Sequence, residues 1–424
     1  MFLSRVLARA LCVVLALAVS TAASAQSPGP LTLAQALQRA LGANARLFVA
    51  DRDIAMAEGR RQQAGAIPNP QASFEVDNAL GSRDYRGLKS AETTLQLSQL
   101  IELGGKRDAR VAAASADYDS TRWQRAAARL EILSETATAF VAVLGAQQRV
   151  QLLERQVAAL DRLSPLLLRR VDAGASSPAD VARTQVAIDL ARIDRDRART
   201  ALATARRDLA LLMGQTSPDF TAVTGNLARI AKPPPYQALL QAIESNPQLM
   251  RWTAVRAQKE AELLTARLKV VPDVQASVGW RHHRDTRDNA VRLGISVPIP
   301  VWDRNQGAIR EAQEAIGKTE AERAVNKLAL TSTVGRAHDA ITSALQELDI
   351  LRRSVLPNAR KAQAAIDDGY AQGRFTLLEL LDVYRTVAEA ELREQETLVA
   401  FHTAVATIEG LTGNPLTLAH GRTP

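Results

Sequence analysis

The chain has 424 residues, a formal net charge of +8, and 46% hydrophobic against 23% charged residues, which excludes a disordered polymer and leaves material for more than one domain. Arg5 and Arg9 supply two of those charges, and the remainder is mild for this length, so it points to solubility rather than to a nucleic-acid surface. The one cysteine is Cys12, so everything after it has no disulfide and no thiol for lipid attachment.

The opening "MFLSRVLARALCVVLALAVSTAASAQ" carries Arg5 and Arg9, an apolar run from Leu11 to Val19 and a small-residue site at Ala23-Ser24-Ala25. That layout predicts a cleavable secretory signal over residues 1–25, with the mature chain starting at Gln26 and not lipidated there. The apolar run is too short for a membrane-spanning helix. An exported chain of this size without disulfides takes its stability from packing.

From Leu31 the sequence predicts a short helix, a second helix from Asn44 to Ala66, and a turn at "IPNP". Strand alternation follows: Ala72, Phe74 and Val76 oppose Gln71, Ser73, Glu75 and Asp77, and the partner strand sets Leu95 and Leu97 against Thr94, Gln96 and Ser98. This hairpin covers about 70–102. A helix over about 106–171 comes next, interrupted only by Pro165, with Val143, Val150 and Val157 at heptad steps and Leu153, Leu160 and Leu167 three positions on. At 1.5 Å per residue such a rod is roughly 95–100 Å long and cannot lie inside one globule. The turn "VDAGASSPADVARTQ" leads to a helix over about 178–214.

The second half repeats the order. "ALLQAIESNPQLM" resembles "ALQRALGANARLF", and "PDVQAS" echoes "PNPQAS". A hairpin is expected over about 273–299, with Val274, Ala276, Val278 and Trp280 on one face and Arg281 and Arg292 on the other, then a rod over 306–369 and a helix over 376–412. The turn "DDGYAQGRFTLLELLDVYR" aligns Gly373 with Gly174 and Glu379 with Asp180. An internal duplication is the simplest account, giving units at 26–230 and 231–424.

Two hairpins make four strands, which cannot close on themselves, and an apolar sheet face with open edges needs cover. Strands of about ten residues suit a tilted outer-membrane crossing, where only a closed barrel satisfies the backbone. Three chains together would supply about twelve strands, with polar residues facing a water-filled duct. Phe74, Tyr85 and Trp280 are the candidates for an aromatic girdle.

Signal, duplicated plan, "SQLIELGGKR" and "VPIPVWDRNQG" together resemble the TolC-type outer-membrane factors, most closely the cobalt-zinc-cadmium branch that serves resistance-nodulation-division (RND) pumps. The resemblance implies a mainly α fold with a small β part: a long coiled-coil α-barrel with four strands per chain contributed to a trimeric 12-stranded barrel. It also implies a homotrimer in the outer membrane of a Gram-negative bacterium, in contact with its lipid, with a periplasmic adaptor and an inner-membrane RND pump as partners. It implies no cofactor, no enzymatic activity and no nucleic-acid partner. A drug-efflux or type I secretion duct is the alternative cargo reading, and a periplasmic coiled-coil adaptor the alternative class.

The family's tip pattern is present as Tyr370, Gly373, Glu379 and Asp382. By resemblance, Glu379 and Asp382 form carboxylate rings at a periplasmic constriction, Asp180 helps lock the closed tip against Tyr370, and the turns at Gly174 and Gly373 dock the adaptor. Phe375 occupies the position expected to be basic, with Arg374 one step earlier, which implies a gate held partly by apolar contact. His282 and His283 stand together in the second hairpin, but adjacent imidazoles on a strand point to opposite faces, so they are weak metal candidates. No phosphate-binding loop, zinc-protease motif or nucleophile with a base occurs in the sequence.

Overall fold

The computed structural model describes residues 29–413; the expected signal lies outside the described residues. The first half runs β1 (Leu31–Thr32), α1 (Leu33–Ala43), α2 (Ala45–Ala64), β2 (Gln71–Asp77), β3 (Glu92–Ile101), α3 (Lys106–Asp161), α4 (Leu163–Asp172) and α5 (Pro178–Leu212). After β4 (Val223–Thr224) come α6 (Tyr236–Ile243), α7 (Pro247–Leu268), β5 (Val274–His283), β6 (Asn289–Ser296), α8 (Gln306–Ile350), α9 (Leu356–Ala371) and α10 (Leu377–Thr412). Apart from the short β1 and β4, the elements of the two halves occur in the same order.

Where one rod was expected over 106–171, two helices meet at Arg162. Pro165 has no N–H to offer the Asp161 carbonyl, and its ring crowds that carbonyl, so the ladder breaks there. In the second half Pro357 produces a different result: a π-helical turn over Leu351–Val355 absorbs the misfit and α8 passes into α9.

Each rod lies beside two shorter helices stacked end to end, and one device makes both stacks. Asn44 caps α2 by accepting from the Arg46 N–H (3.0 Å), while its Nδ2 donates to the Leu212 carbonyl at the end of α5 (3.0 Å). Asn246 accepts from the Gln248 N–H (2.7 Å) and donates to the Leu411 carbonyl of α10 (2.7 Å). One buried side chain thus satisfies an orphan donor of the starting helix and an orphan acceptor of the ending one.

Among the described residues, three apolar clusters hold the bundle. One joins α1, α3, α5 and the 213–230 strap, a second joins α6, α7, α8 and α10, and a third sits at the far tip around Leu167, Ile188, Tyr370 and Leu380. The halves are fastened where α3 meets α10. A Cβ on Gly145 would stand 2.4 Å from Val399 Cγ2, and one on Gly410 2.3 Å from Ser134 Cβ. Gly410→Val is therefore expected to cost about 1–3 kcal/mol through overpacking, with no loss of helix propensity to explain it. Urea denaturation checks this; an unchanged midpoint would show that the helices are not held this closely.

Candidate functional site

Two regions carry the chemistry: the sheet at one end of the rods and the pair of turns at the other. The sheet has strand order β2-β3-β5-β6, every neighbour antiparallel, so β2 and β6 are open edges. Residues that share a register position share a face, and the rows sort cleanly. Phe74, Leu95, Trp280 and Val291 form one row, and Ala72, Leu97, Val278 and Leu293 another. Among these Val291 is 74% and Leu293 79% exposed, with Ile295 at 78%, an apolar face too continuous for water. Trp302, just past β6, is 90% exposed; the sequence reading passed over this aromatic because it stands outside the alternation.

The opposite face is polar and internally paired. Arg281 donates to Thr94 Oγ1 (2.9 Å) and Glu92 Oε2 (2.9 Å) and lies 3.8 Å from Asp77. This guanidinium staples β5 to β3 and reaches toward β2, fixing the register through charge-assisted bonds. Glu75 and Arg292 share this face. Tyr85 is set in the β2–β3 loop and is half exposed.

His282 and His283 part company on the strand. His282 lies on the apolar face, stacked on Trp280 with centroids 5.8 Å apart and bonded to Asn289 Oδ1 (3.0 Å). His283 lies on the polar face, 3.5 Å from Glu92. The two rings do not converge on a common ligand position.

At the other end, the α4–α5 turn and the α9–α10 turn are built alike. Gly174 (φ 67°) and Gly373 (φ 77°) take the left-handed conformation after their helices, where a side chain would be strained. Ser177 and Thr376 then start the next helices with capping boxes. Asp180 Oδ2 accepts from the Ser177 N–H (3.2 Å), and Glu379 Oε2 from both the Thr376 N–H (2.8 Å) and its hydroxyl (2.8 Å). The alignment of Asp180 with Glu379 thus has a local cause, and the spacings Ser-x-x-Asp and Thr-x-x-Glu carry it in the sequence. The N–H and hydroxyl of Thr376 hold the Glu379 carboxyl below the ordinary carboxylate value. Asp382, one helical turn on, is exposed and pairs with Arg385 at 2.7 Å.

Phe375, Arg374 and Arg170 are arranged around Gly369 and Tyr370. The Phe375 ring lies against Gly369, where a Cβ would stand 2.4 Å from its Cδ2. The Arg374 N–H closes the turn onto the Gly369 carbonyl (2.8 Å). Tyr370 is buried, and burial raises its phenol above the ordinary value, against the pull of the nearby Arg170. Arg170, which the sequence reading did not single out, places its guanidinium 4.8 Å from the Tyr370 ring centroid and donates to the Tyr370 carbonyl (2.9 Å). No spacing signal announces a contact between residues 200 positions apart.

Comparison with known proteins agrees with this geometry. The outer membrane efflux protein family matches residues 36–215 and 238–414. The cobalt-zinc-cadmium resistance protein CzcC of Cupriavidus metallidurans is 31% identical over 388 residues, covering 92% of this chain and 91% of that protein. TolC of Escherichia coli is 22% identical, covering 85% and 77%. Among solved structures, CusC superposes with a TM-score of 0.77 at 18% identity, covering 90% of this chain and 91% of that one. A membrane protein from Pseudomonas aeruginosa gives 0.79 at 19% identity, covering 90% and 92%. With its greasy open-edged sheet at one end and paired helical tips at the other, the chain belongs to the outer membrane efflux protein family and has the TolC-type fold of outer-membrane channels with a long periplasmic helical part.

Proposed function

We propose that three copies join edge to edge, β6 of one protomer against β2 of the next, to close a twelve-stranded barrel against outer-membrane lipid and continue it as a helical tube. The observation that carries this is the four-stranded sheet itself, open at both edges and apolar on its exposed face. Backbone groups on an open edge cannot be left in lipid, and edge pairing between copies satisfies them. The duct is passive rather than enzymatic and takes its energy from an inner-membrane RND pump, reached through a periplasmic adaptor that grips the turns at Gly174 and Gly373. The chain divides near residue 230 into two repeats of this plan, each supplying one β-hairpin and one helical hairpin. Detergent-extracted protein running as a stable monomer would sink the shared barrel.

The cargo is divalent metal. Supporting this are the relatives themselves, resistance proteins for cobalt-zinc-cadmium, nickel-cobalt-cadmium, and nickel and cobalt at 31%, 22% and 25% identity. Deleting the protein is expected to sensitise cells to cobalt, zinc, cadmium or copper in growth assays. Unchanged tolerance to all four removes the metal assignment and leaves the duct. Tyr370, Arg374, Phe375, Asp180, Glu379 and Asp382 form the periplasmic gate of this duct, with Asp382 facing the passage and Glu379 and Asp180 stiffening the turns that carry it.

A further inference from the structure

We propose that the two loops at the far end of the sheet form a docking site for a phosphorylated lipid headgroup of the outer leaflet; this rests on the barrel reading above. The loops join β2 to β3 (residues 78–91) and β5 to β6 (residues 284–288). Antiparallel pairing of Asp77 with Glu92, and of His282 with Asn289, puts both loops at the end remote from the helices. The first carries Arg83, Arg86 and Lys89 and the second Arg284 and Arg287, all exposed. Asp84, Asp285 and Asp288 stand beside them, so five cations against three carboxylates leave +2 per chain and +6 in the proposed trimer.

Lack of pairing sets these cations apart. Along the rods arginine finds a carboxylate on another helix, as Arg46 does with Glu131 and Glu135, Arg60 with Asp117 and Arg352 with Glu394. At the helix end of the sheet Lys106 meets Asp273 and Arg110 meets Glu102. Among the described residues, none of the five loop cations forms an ion pair, although three carboxylates share the loops with them.

Nor are the loops slack connections. The Leu80 N–H donates to the Gly87 carbonyl (2.8 Å), the Gly81 N–H to the Tyr85 carbonyl (2.9 Å) and the Ser90 hydroxyl to the Asp84 carbonyl (2.6 Å). The Arg284 N–H ties the second loop to the first through the Ala91 carbonyl (3.1 Å). Leu80 (φ 58°) and Arg83 (φ 55°) hold the left-handed conformation, a strain that collects where function needs a particular shape. Leu80 is 81% exposed, and Tyr85 and Leu88 are half exposed, so burial within the chain does not account for that shape. Cations interleaved with exposed apolar side chains match a ligand that carries phosphate beside acyl chains. Guanidinium groups bind phosphate oxygens in pairs, and the apolar side chains meet hydrocarbon. A free phosphate would use only the charged part of this surface.

Detergent-solubilised full-length trimer passed over immobilised lipopolysaccharide, a glycolipid with phosphates beside its acyl chains, reads the site. Wild type is expected to bind, and to bind more weakly as salt rises. Replacing Arg83, Arg86, Lys89, Arg284 and Arg287 together by Gln is expected to weaken binding by about tenfold or more. Should that chain not assemble, Arg284→Gln with Arg287→Gln, confined to the second loop, is expected to lose about threefold. Phosphatase-treated lipopolysaccharide is expected to bind wild type as weakly as the five-Gln variant binds the intact glycolipid. Equal affinity of wild type and variants, or of treated and intact glycolipid, would overturn the site. Tight binding of inorganic phosphate in a calorimetric titration would overturn it too, by replacing the lipid with a free anion. A stable trimer that conducts in planar bilayers but ignores lipopolysaccharide would remove the site and leave the barrel. Protein that stays monomeric would remove the barrel, and the site with it.

Discussion

Leu293→Arg is expected to abolish assembled protein in the outer membrane, while Arg292→Ala one residue earlier leaves it intact. Leu293 stands in the row Ala72–Leu97–Val278–Leu293, mid-strand on β6 and 79% exposed, so in the proposed barrel it would meet lipid. A charge on the lipid face near the bilayer midplane costs about 2–4 kcal/mol, and three chains incur it together. That total is comparable with the whole stability of an ordinary domain, about 5–15 kcal/mol. Arg292 belongs to the row Ser73–Gln96–Gly279–Arg292 on the polar face, which in the proposed barrel would face the water-filled duct. Membrane fractionation and unheated SDS gels, on which assembled trimer separates from monomer, read the contrast. Normal trimer for Leu293→Arg would mean that the apolar face does not meet lipid.

The strands were legible because a period of two has one physical cause: a sheet with unlike faces. The residues assigned to the apolar side of β5 from alternation, Val274, Ala276, Val278 and Trp280, fall on one side of the register. The helices were legible in extent, but the effects of Pro165 and Pro357 were not. The same missing donor produces a break at Arg162 and a π turn at Leu351–Val355, and neighbouring packing decides which. The Asn44 and Asn246 joints were half visible. Each sits between two helical stretches like an N-cap, yet its second bond goes to a carbonyl about 165 residues away.

The tips show where sequence reasoning runs out. Glu379, Asp382 and Asp180 are named by pattern, and the pattern does not separate a lumen charge from a helix cap. In the structure Glu379 and Asp180 turn back on Thr376 and Ser177, whereas Asp382 pairs with Arg385. Trp302, part of "VPIPVWDRNQG", was not among the girdle candidates because it stands outside the strand alternation. It lies between Pro300 and an Asn305 in the left-handed conformation whose side chain is tied to the Ala266 carbonyl (2.7 Å), so the exposed ring is presented by a fastened loop.

That difference between the two acids predicts unequal roles in cation block. In the proposed trimer, Asp382 would contribute three carboxylates to one narrow mouth, where like charges focus the field and collect multivalent counter-ions. Its partner Arg385 is held to it only weakly, because both side chains are more than 60% exposed, and a surface pair of this kind is worth about 0–1 kcal/mol. Glu379 also stays ionised at neutral pH, since its carboxyl is held below the ordinary value, but its charge is aimed at the amide end of α10. Asp382→Asn is therefore expected to raise the concentration of a trivalent cation needed for half-block of single-channel current by about tenfold. Glu379→Gln, which preserves the capping box, is expected to change it no more than about threefold. Equal effects from the two substitutions would place both acids in the passage, and block unaffected by either would move the constriction elsewhere along the tube.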